Sequence, residues 1–281
     1  MEIQYNPDLP FNTDIRDNLS CVDKYDLQNY ICVWLVNDTD VWYAKTIPES
    51  VRGYKVVGRI EMPTNNFDIV FVSYDETNCE ENWLHLKEKK PNSKRIHGVT
   101  GILNAYKAAA LLSKTDLFYI VDGDAWIVDD FSFEDEIDIF QHKYTHLWNS
   151  KNPVNGLVYG YGGVKLFNRK QILDKKEWST DFTTSFAGLV MHERVSNETR
   201  YNVTPYETWK SAFRECAKLS SGIMYGNDSL KRLQIWKTVG DEWSIKGASD
   251  GEKFGLENYN KQNMNKINDF FWLKQQFEKI K

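Results

Sequence analysis

The chain has few cysteines and no long apolar run, and each shortage excludes something. Its four cysteines, Cys21, Cys32, Cys79 and Cys216, lie far apart and form no CxxC pair. Neither a zinc knuckle nor a disulfide framework is indicated, and reduced thiols are expected. The opening residues, MEIQYNPDLPFNTDIRDN, carry neither a basic start nor an apolar segment of signal-peptide length, and no window approaches a membrane span. A cytoplasmic protein is therefore expected, in which sequons such as NDT and NVT have no meaning as glycan acceptors. No repeat and no low-complexity linker interrupts the 281 residues, a length that suits one large α/β domain or two small ones. A formal net charge of −5 argues against wholesale coating of nucleic acid. Lysine and arginine nevertheless cluster in LKEKKPNSKR, KLFNRKQILDKK and LKRLQIWK, which leaves room for a basic face.

What is present is an alternation of strands and helices. YICVWLV (30–36) and FDIVFVSYD (67–75) read as buried strands, with VRGYKVVGRI between them as a shorter one. VTGILNAYKAAALLSKT (99–115) places apolar residues at helical spacing and leads directly into the strand DLFYIVD. Strand, helix, strand is a βαβ unit, which implies a parallel pair. The second half is aromatic and glycine-rich in HLWNSKNPVNGLVYGYGGVKLFN, as expected for short strands and loops around a pocket. TPYETWKSAFRECAKLSS and INDFFWLKQQFEKIK read as helices, the first capped by Thr204 with Pro205 at its first position and Glu207 three residues after the cap.

FYIVDGDAWIVDD (118–130) runs strand-forming residues into two carboxylates separated by one glycine. Open α/β sheets bind ligands outside the carboxyl ends of their strands, so Asp122 and Asp124 are candidate site residues. Two carboxylates on such a turn can hold a hard divalent cation and leave positions for a diphosphate, and Gly123 lets the backbone approach the ligand closely. A second strand ends in Tyr74-Asp75-Glu76 at what should be the same edge. By spacing alone an acidic turn is also an ordinary surface feature.

With this context the sequence resembles the GT-A glycosyltransferases, whose Asp-x-Asp motif binds Mn2+ or Mg2+ and the diphosphate of a nucleotide sugar. TDLFYIVDGDAWI, YGYGGVKLFN and YNVTPYETWKSAFRECAKLSS are similar to the DNA-modifying glycosyltransferases of T-even-like bacteriophages. With the region from about residue 67, these segments cover most of the chain. The resemblance implies an α/β, GT-A (Rossmann-like) single domain over 1–281 with a mixed, mostly parallel sheet. Approximately 25–130 would form its nucleotide-sugar-binding half and approximately 131–281 its acceptor-binding half. It implies a UDP-sugar donor, glucose before arabinose, and double-stranded DNA containing hydroxymethylcytosine or its glucosylated form as acceptor.

Carried onto this chain, the resemblance makes Asp124 the principal metal ligand and gives Asp122 the ribose or the metal. Asp75 falls where such folds meet the nucleoside, Tyr74 would stack on uracil, and Lys94, Arg95, His97 and Lys107 would approach the pyrophosphate. For the three lysines and arginines the plain alternative is a solvated loop or helix surface. A further metal ligand is expected from the second half, His192 or Asp250, the latter in GASDGEKFG, whose glycines suit a loop closing near phosphate. An inverting enzyme needs a carboxylate that takes the acceptor proton. Asp181 in WSTDFTTSF is the first candidate, with Asp228 and Glu207 as competitors; a retaining enzyme needs none.

Glycines 160, 162 and 163 allow close approach to a sugar, with Tyr159 and Tyr161 as stacking faces and Trp126 and Trp148 nearby. The same alternation also builds a twisted strand. A DNA face would draw on NRKQILDKK, Arg214, and Lys231 with Arg232. A GT-A enzyme acting on a glycan, or a non-catalytic sugar- or protein-binding module, are the rival readings.

Overall fold

The computed structural model describes residues 66–137, 141–160, 162–177, 181–186, 188–222, 228–258 and 262–281, and the backbone of strands at 32–37 and 40–44. The chain forms two compact units, 1–66 with 134–143 and 67–133 with 144–281. In the first, β1 (Cys32–Asn37) pairs antiparallel with β2 (Asp40–Ala44); the strand expected within 51–60 lies outside the described residues.

The second unit runs β3 (Asp68–Ser73), α1 (Cys79–Lys89), β4 (Lys94–His97), α2 (Ile102–Leu112), β5 (Leu117–Asp122), β6 (Ala125–Ile127), β7 (Thr145–Lys151) and β8 (Val158–Tyr159). It continues with β9 (Val164–Asn168), α3 (Arg169–Asp174), β10 (Leu189–Thr199), α4 (Pro205–Ser220), α5 (Ser229–Thr238), α6 (Glu242–Glu257) and α7 (Phe270–Glu278). The strands form one eight-stranded sheet in the order β4-β3-β5-β9-β7-β10-β6, with β8 on β7. The expected parallel pairing is present in β4-β3-β5 and again between β7 and β10. Antiparallel β5-β9, β7-β9 and β10-β6 make the sheet mixed, so this is an α/β fold compatible with a Rossmann-like domain.

Local sequence explains the central elements. Leu117 to Val121 are fully buried, as a strand covered on both faces requires, and each large side chain contributes about 2 kcal/mol by leaving water. The alanines of α2, Ala105, Ala109 and Ala110, let that helix settle closely on Val70, Phe118, Ile120 and Phe167. In α4, Thr204 caps as the sequence predicts, its Oγ1 accepting the Glu207 N–H at 3.2 Å with Pro205 at the helix start.

GASDGEKFG departs from expectation, because it is the interior of α6 and not a loop. A Cβ on Gly247, Gly251 or Gly255 would collide with the carbonyl oxygens of Trp209, Phe213 and Ala217 respectively. The four-residue spacing on both helices puts α4 and α6 parallel and in backbone contact, and this packing overrides the poor helix propensity of glycine. The second half also holds an eleven-residue strand, β10, which the polar residues of LVMHERVSNET disguise.

Candidate functional site

The Asp-Gly-Asp turn closes β5 at the carboxyl edge of the sheet, where the sequence placed it. Its backbone is held on every side. The Asp122 N–H donates to Gly163 O at 2.9 Å, the buried Asn82 amide donates to Gly123 O at 2.9 Å, and the Arg200 N–H donates to Asp124 O at 2.7 Å. Gly123 is needed here for a close approach: a Cβ would lie 2.5 Å from Glu76 Oε2 and 2.9 Å from Ser73 Cβ. The missing methyl therefore lets the Glu76 carboxylate pack against the turn.

The two aspartates differ in their surroundings. Asp122 is 34% exposed, and its Oδ2 lies 2.5 Å from Lys165 Nζ while its Oδ1 accepts the Tyr106 hydroxyl at 3.1 Å. Asp124 accepts no side-chain hydrogen bond among the described residues. Burial, then the charges of Asp122 and Glu76, push its carboxyl up to about 7, against weaker opposing pulls from Lys165 and Lys210. Glu76 is raised as well, by burial first and then by Asp122 and Asp75, although the Tyr74 N–H donates to it at 2.8 Å. Three carboxylates thus converge on one turn, and the charge of Asp122 adds to burial in raising the proton affinity of the other two.

Beside the turn is a cleft of about 360 Å³ lined by Tyr74, Asp75, Tyr206, Lys210, Phe270 and Phe271, among others. Lys210 Nζ lies 5.3 Å from the Tyr206 ring centre and 4.8 Å from that of Phe270. Burial and Arg214 lower its pKa, opposed by Asp75, Glu207 and Glu76. One ammonium therefore faces the cleft while its field reaches the carboxylates of the turn. Glu207 accepts from the Thr77 N–H and hydroxyl, each at 3.0 Å, which ties the start of α4 to the loop after β3.

Of the expected site residues, Tyr74, Asp75, Asp122 and Asp124 come together. Arg95 and His97 stand one residue further out: His97 Nδ1 is 3.0 Å from Ser73 Oγ, and Arg95 forms a two-pronged pair with Glu80 at 2.7 and 2.8 Å. Lys94 is a correction, because it lies at the amino end of its strand, bonded to Asp68 at 2.8 Å and to Leu112 O at 3.2 Å. Parallel pairing puts that end opposite the ligand edge. Lys107 follows Tyr106 on α2, and consecutive helix positions point about 100° apart, so it is not aimed at Asp122 as Tyr106 is.

The second-half candidates are not delivered to the turn. His192 lies in mid-strand opposite Trp148, stacked on that ring at 4.4 Å and hydrogen-bonded to His146 at 3.0 Å. Asp250 is on α6, accepting the Trp209 indole N–H at 2.9 Å and pairing with Lys246 at 2.5 Å. Both are explained by packing rather than by metal ligation. Asp228 is exposed at the start of α5 and pairs with Lys231 at 3.4 Å. Asp181 receives the Thr184 N–H at 3.1 Å and faces Lys218 at 3.4 Å. Burial raises its pKa, but Lys218 and Thr184 outweigh that and hold it below the usual carboxylate value. A general base for a hydroxyl works best with its pKa near the working pH, and Asp181 is displaced the other way.

The aromatic stretch is also reassigned. Tyr159 is buried, donating to Glu215 at 2.8 Å and accepting from the Trp236 indole at 3.2 Å, and Trp148 is fully buried; Tyr161 lies outside the described residues. Trp126 stacks on His85 at 3.7 Å. In the proposed DNA face, Arg214 donates to Ile267 O at 2.8 Å, and Arg232 lies over Tyr159 at 4.6 Å; Lys231 is 81% exposed. Sequence reasoning missed Glu76, Tyr106, Lys165 and Lys210 as site residues. Lys165 sits inside the quoted YGYGGVKLFN, where a lone lysine between apolar residues was the available signal.

Among the described residues no group of three or more His, Cys, Asp or Glu side chains is already disposed to hold a metal ion, and no helix is long and apolar enough to cross a membrane. A scan against protein-family models and a search of curated proteins return no match.

Proposed function

We propose that the chain is a metal-dependent GT-A glycosyltransferase. In this reading it moves a sugar from a UDP-sugar, glucose before arabinose, to a hydroxyl on DNA carrying hydroxymethylcytosine or its glucosylated form. The observation that carries the reading is the acidic turn at the carboxyl end of a buried parallel strand, beside an aromatic cleft with a lysine on its wall. The donor set fits a hard cation through Asp124, on the turn, and Glu76, from the loop after β3, whose carboxylate packs where a Cβ on Gly123 would collide with it. When bound, Mn2+ or Mg2+ would neutralise charge on the departing diphosphate. Tyr74 offers its ring to the uracil, Asp75 its carboxylate to the nucleoside, and Lys210 its ammonium to the phosphates. No base is assigned, since Asp181 is held as an ion pair.

The DNA acceptor rests on the resemblance of the three quoted segments. A glycan acceptor is the second reading, favoured by the engagement of Arg214 and Arg232 within the fold. The test is mass spectrometry of nucleosides after incubation with Mn2+ or Mg2+, UDP-glucose or UDP-arabinose, and DNA carrying cytosine, hydroxymethylcytosine or its glucosylated form. A sugar-sized mass gain on a modified nucleoside is expected. Metal-dependent donor hydrolysis without any gain on DNA selects the glycan reading, and silence in both assays ends the glycosyltransferase proposal.

A further inference from the structure

Lys165 is a charged side chain that the proposed reaction does not use. It is 5% exposed, on β9, directly opposite Ile120 of β5. Its Nζ is 2.5 Å from Asp122 Oδ2 and 3.1 Å from the Tyr106 hydroxyl, and that hydroxyl is 3.1 Å from Asp122 Oδ1. The three groups close a triangle in which each oxygen of Asp122 already has a partner. We infer that Lys165 is a positioning residue: it holds Asp122 as the counter-ion of a buried ammonium, so that a divalent cation at the turn is bound by Asp124 and Glu76 and not by the Asp-x-Asp pair. The inference rests on the metal reading above and changes which residues serve it.

The energetics favour this division. A buried ammonium deprived of its carboxylate is strongly destabilising, so a cation that draws Asp122 off Lys165 works against the fold, and one that shares Asp122 must sit beside another positive charge. Burial alone would lower the pKa of Lys165, but Asp122 and Tyr106 reverse that and hold the proton firmly. Asp124 and Glu76 face the opposite situation: among the described residues neither side chain is paired with a cation, and the Glu76 carboxylate packs against Gly123, between the two aspartates. Lys165 and the Tyr106 hydroxyl hold both oxygens of Asp122 away from a metal-binding role. The ammonium thereby reserves the turn for a cation without entering its coordination.

The test is calorimetric titration of the full chain with Mn2+ alone, in the native protein, Asp122→Asn, Lys165→Met and the double variant. Asp122→Asn is expected to change the native Kd by less than about tenfold, as a residue outside the coordination should. Lys165→Met is expected to tighten Mn2+ by on the order of tenfold, because it releases a carboxylate to the ion, and adding Asp122→Asn should erase that gain. A loss of tenfold or more from Asp122→Asn in the native background overturns the inference while leaving the metal reading intact. So does a folded Lys165→Met protein with unchanged or weaker binding. Binding by Lys165→Met but not by the native chain overturns the inference, since Asp124 and Glu76 then hold no ion by themselves, and it ends the metal reading for the native protein; no binding by any variant ends both. If either single variant, each of which leaves half of the buried pair behind, does not fold, the double variant decides: a Kd within tenfold of the native value supports the inference and a larger loss overturns it, with Tyr106→Phe as a check that frees Oδ1 only and is expected to tighten Mn2+ by about twofold.

Discussion

Asp68 and Asp124 occupy opposite ends of the same three parallel strands, and their surroundings are opposite too. Asp68, at the amino edge, receives Lys94 Nζ at 2.8 Å, the Lys114 N–H at 2.5 Å and the Ser113 hydroxyl at 3.3 Å. Burial raises its pKa, but those three donors together bring it below the ordinary value. Asp124, at the carboxyl edge, has like charges for neighbours and a carboxyl raised to about 7. One aspartate is fully answered by its own protein, and the other is left to be answered from outside. The difference separates a carboxylate that secures the fold from one whose charge is a liability until something binds.

The sharpest way to break this comparison is Asp124→Asn. Donor turnover should fall by on the order of a hundredfold or more. The same variant should be more stable than the native protein above pH 7, by about 2 kcal/mol in thermal or urea melts. The sign follows from the raised folded pKa: this carboxyl supports the fold best when protonated, and that support is lost as pH rises from about 4 to about 7. Equal stability at pH 8 would show that Asp124 is not strained.

Asp68→Asn should behave in reverse, costing about 1–3 kcal/mol at neutral pH with little direct effect on nucleotide binding. Because the folded pKa is depressed, its contribution is present above about pH 4 and disappears as pH falls through the folded value, so native and variant melts should converge in acid. A smaller effect is expected from Lys94→Met, about 1 kcal/mol, since Ser113 and Lys114 continue to hold Asp68; any loss of nucleotide affinity in that variant would restore Lys94 to the phosphate site. Gly123→Ala should also cost about 1 kcal/mol or more, because its methyl meets the buried Ser73 Cβ as well as the Glu76 carboxylate. The methyl should displace the Glu76 carboxylate and lower the Asp124 titration, followed by carboxyl NMR, by part of its elevation only, since burial and the charge of Asp122 remain.

Much of this edge was legible in the sequence. Apolar runs that stop at acidic residues mark β3 and β5, and helical spacing marks α2, because burial on both faces and packing on one face leave direct traces in residue order. α1 and β4 were not read, since the helix is weakly amphipathic and the strand has four residues. Asp122 and Asp124 were found from their strand, but the difference between them was not, because it depends on Lys165 and Glu76, 43 residues after and 46 residues before Asp122 in the chain. The same limit explains His192 and Asp250, where residue type was suggestive and a stacked tryptophan or a neighbouring lysine is the actual partner.

The glycine row of α6 has a mechanical consequence. With main chain lying on main chain at Trp209, Phe213 and Ala217, α4 cannot slide along α6 by a fraction of a turn without pushing a carbonyl into a Cα. The two helices therefore engage like a rack with coarse teeth, whose next setting lies a full turn, about 5.4 Å, away. Lys210 and Glu207 ride on the first turns of α4, so their placement is set by how backbones interlock some way along the helix, and no ligand needs to spend binding energy aligning them.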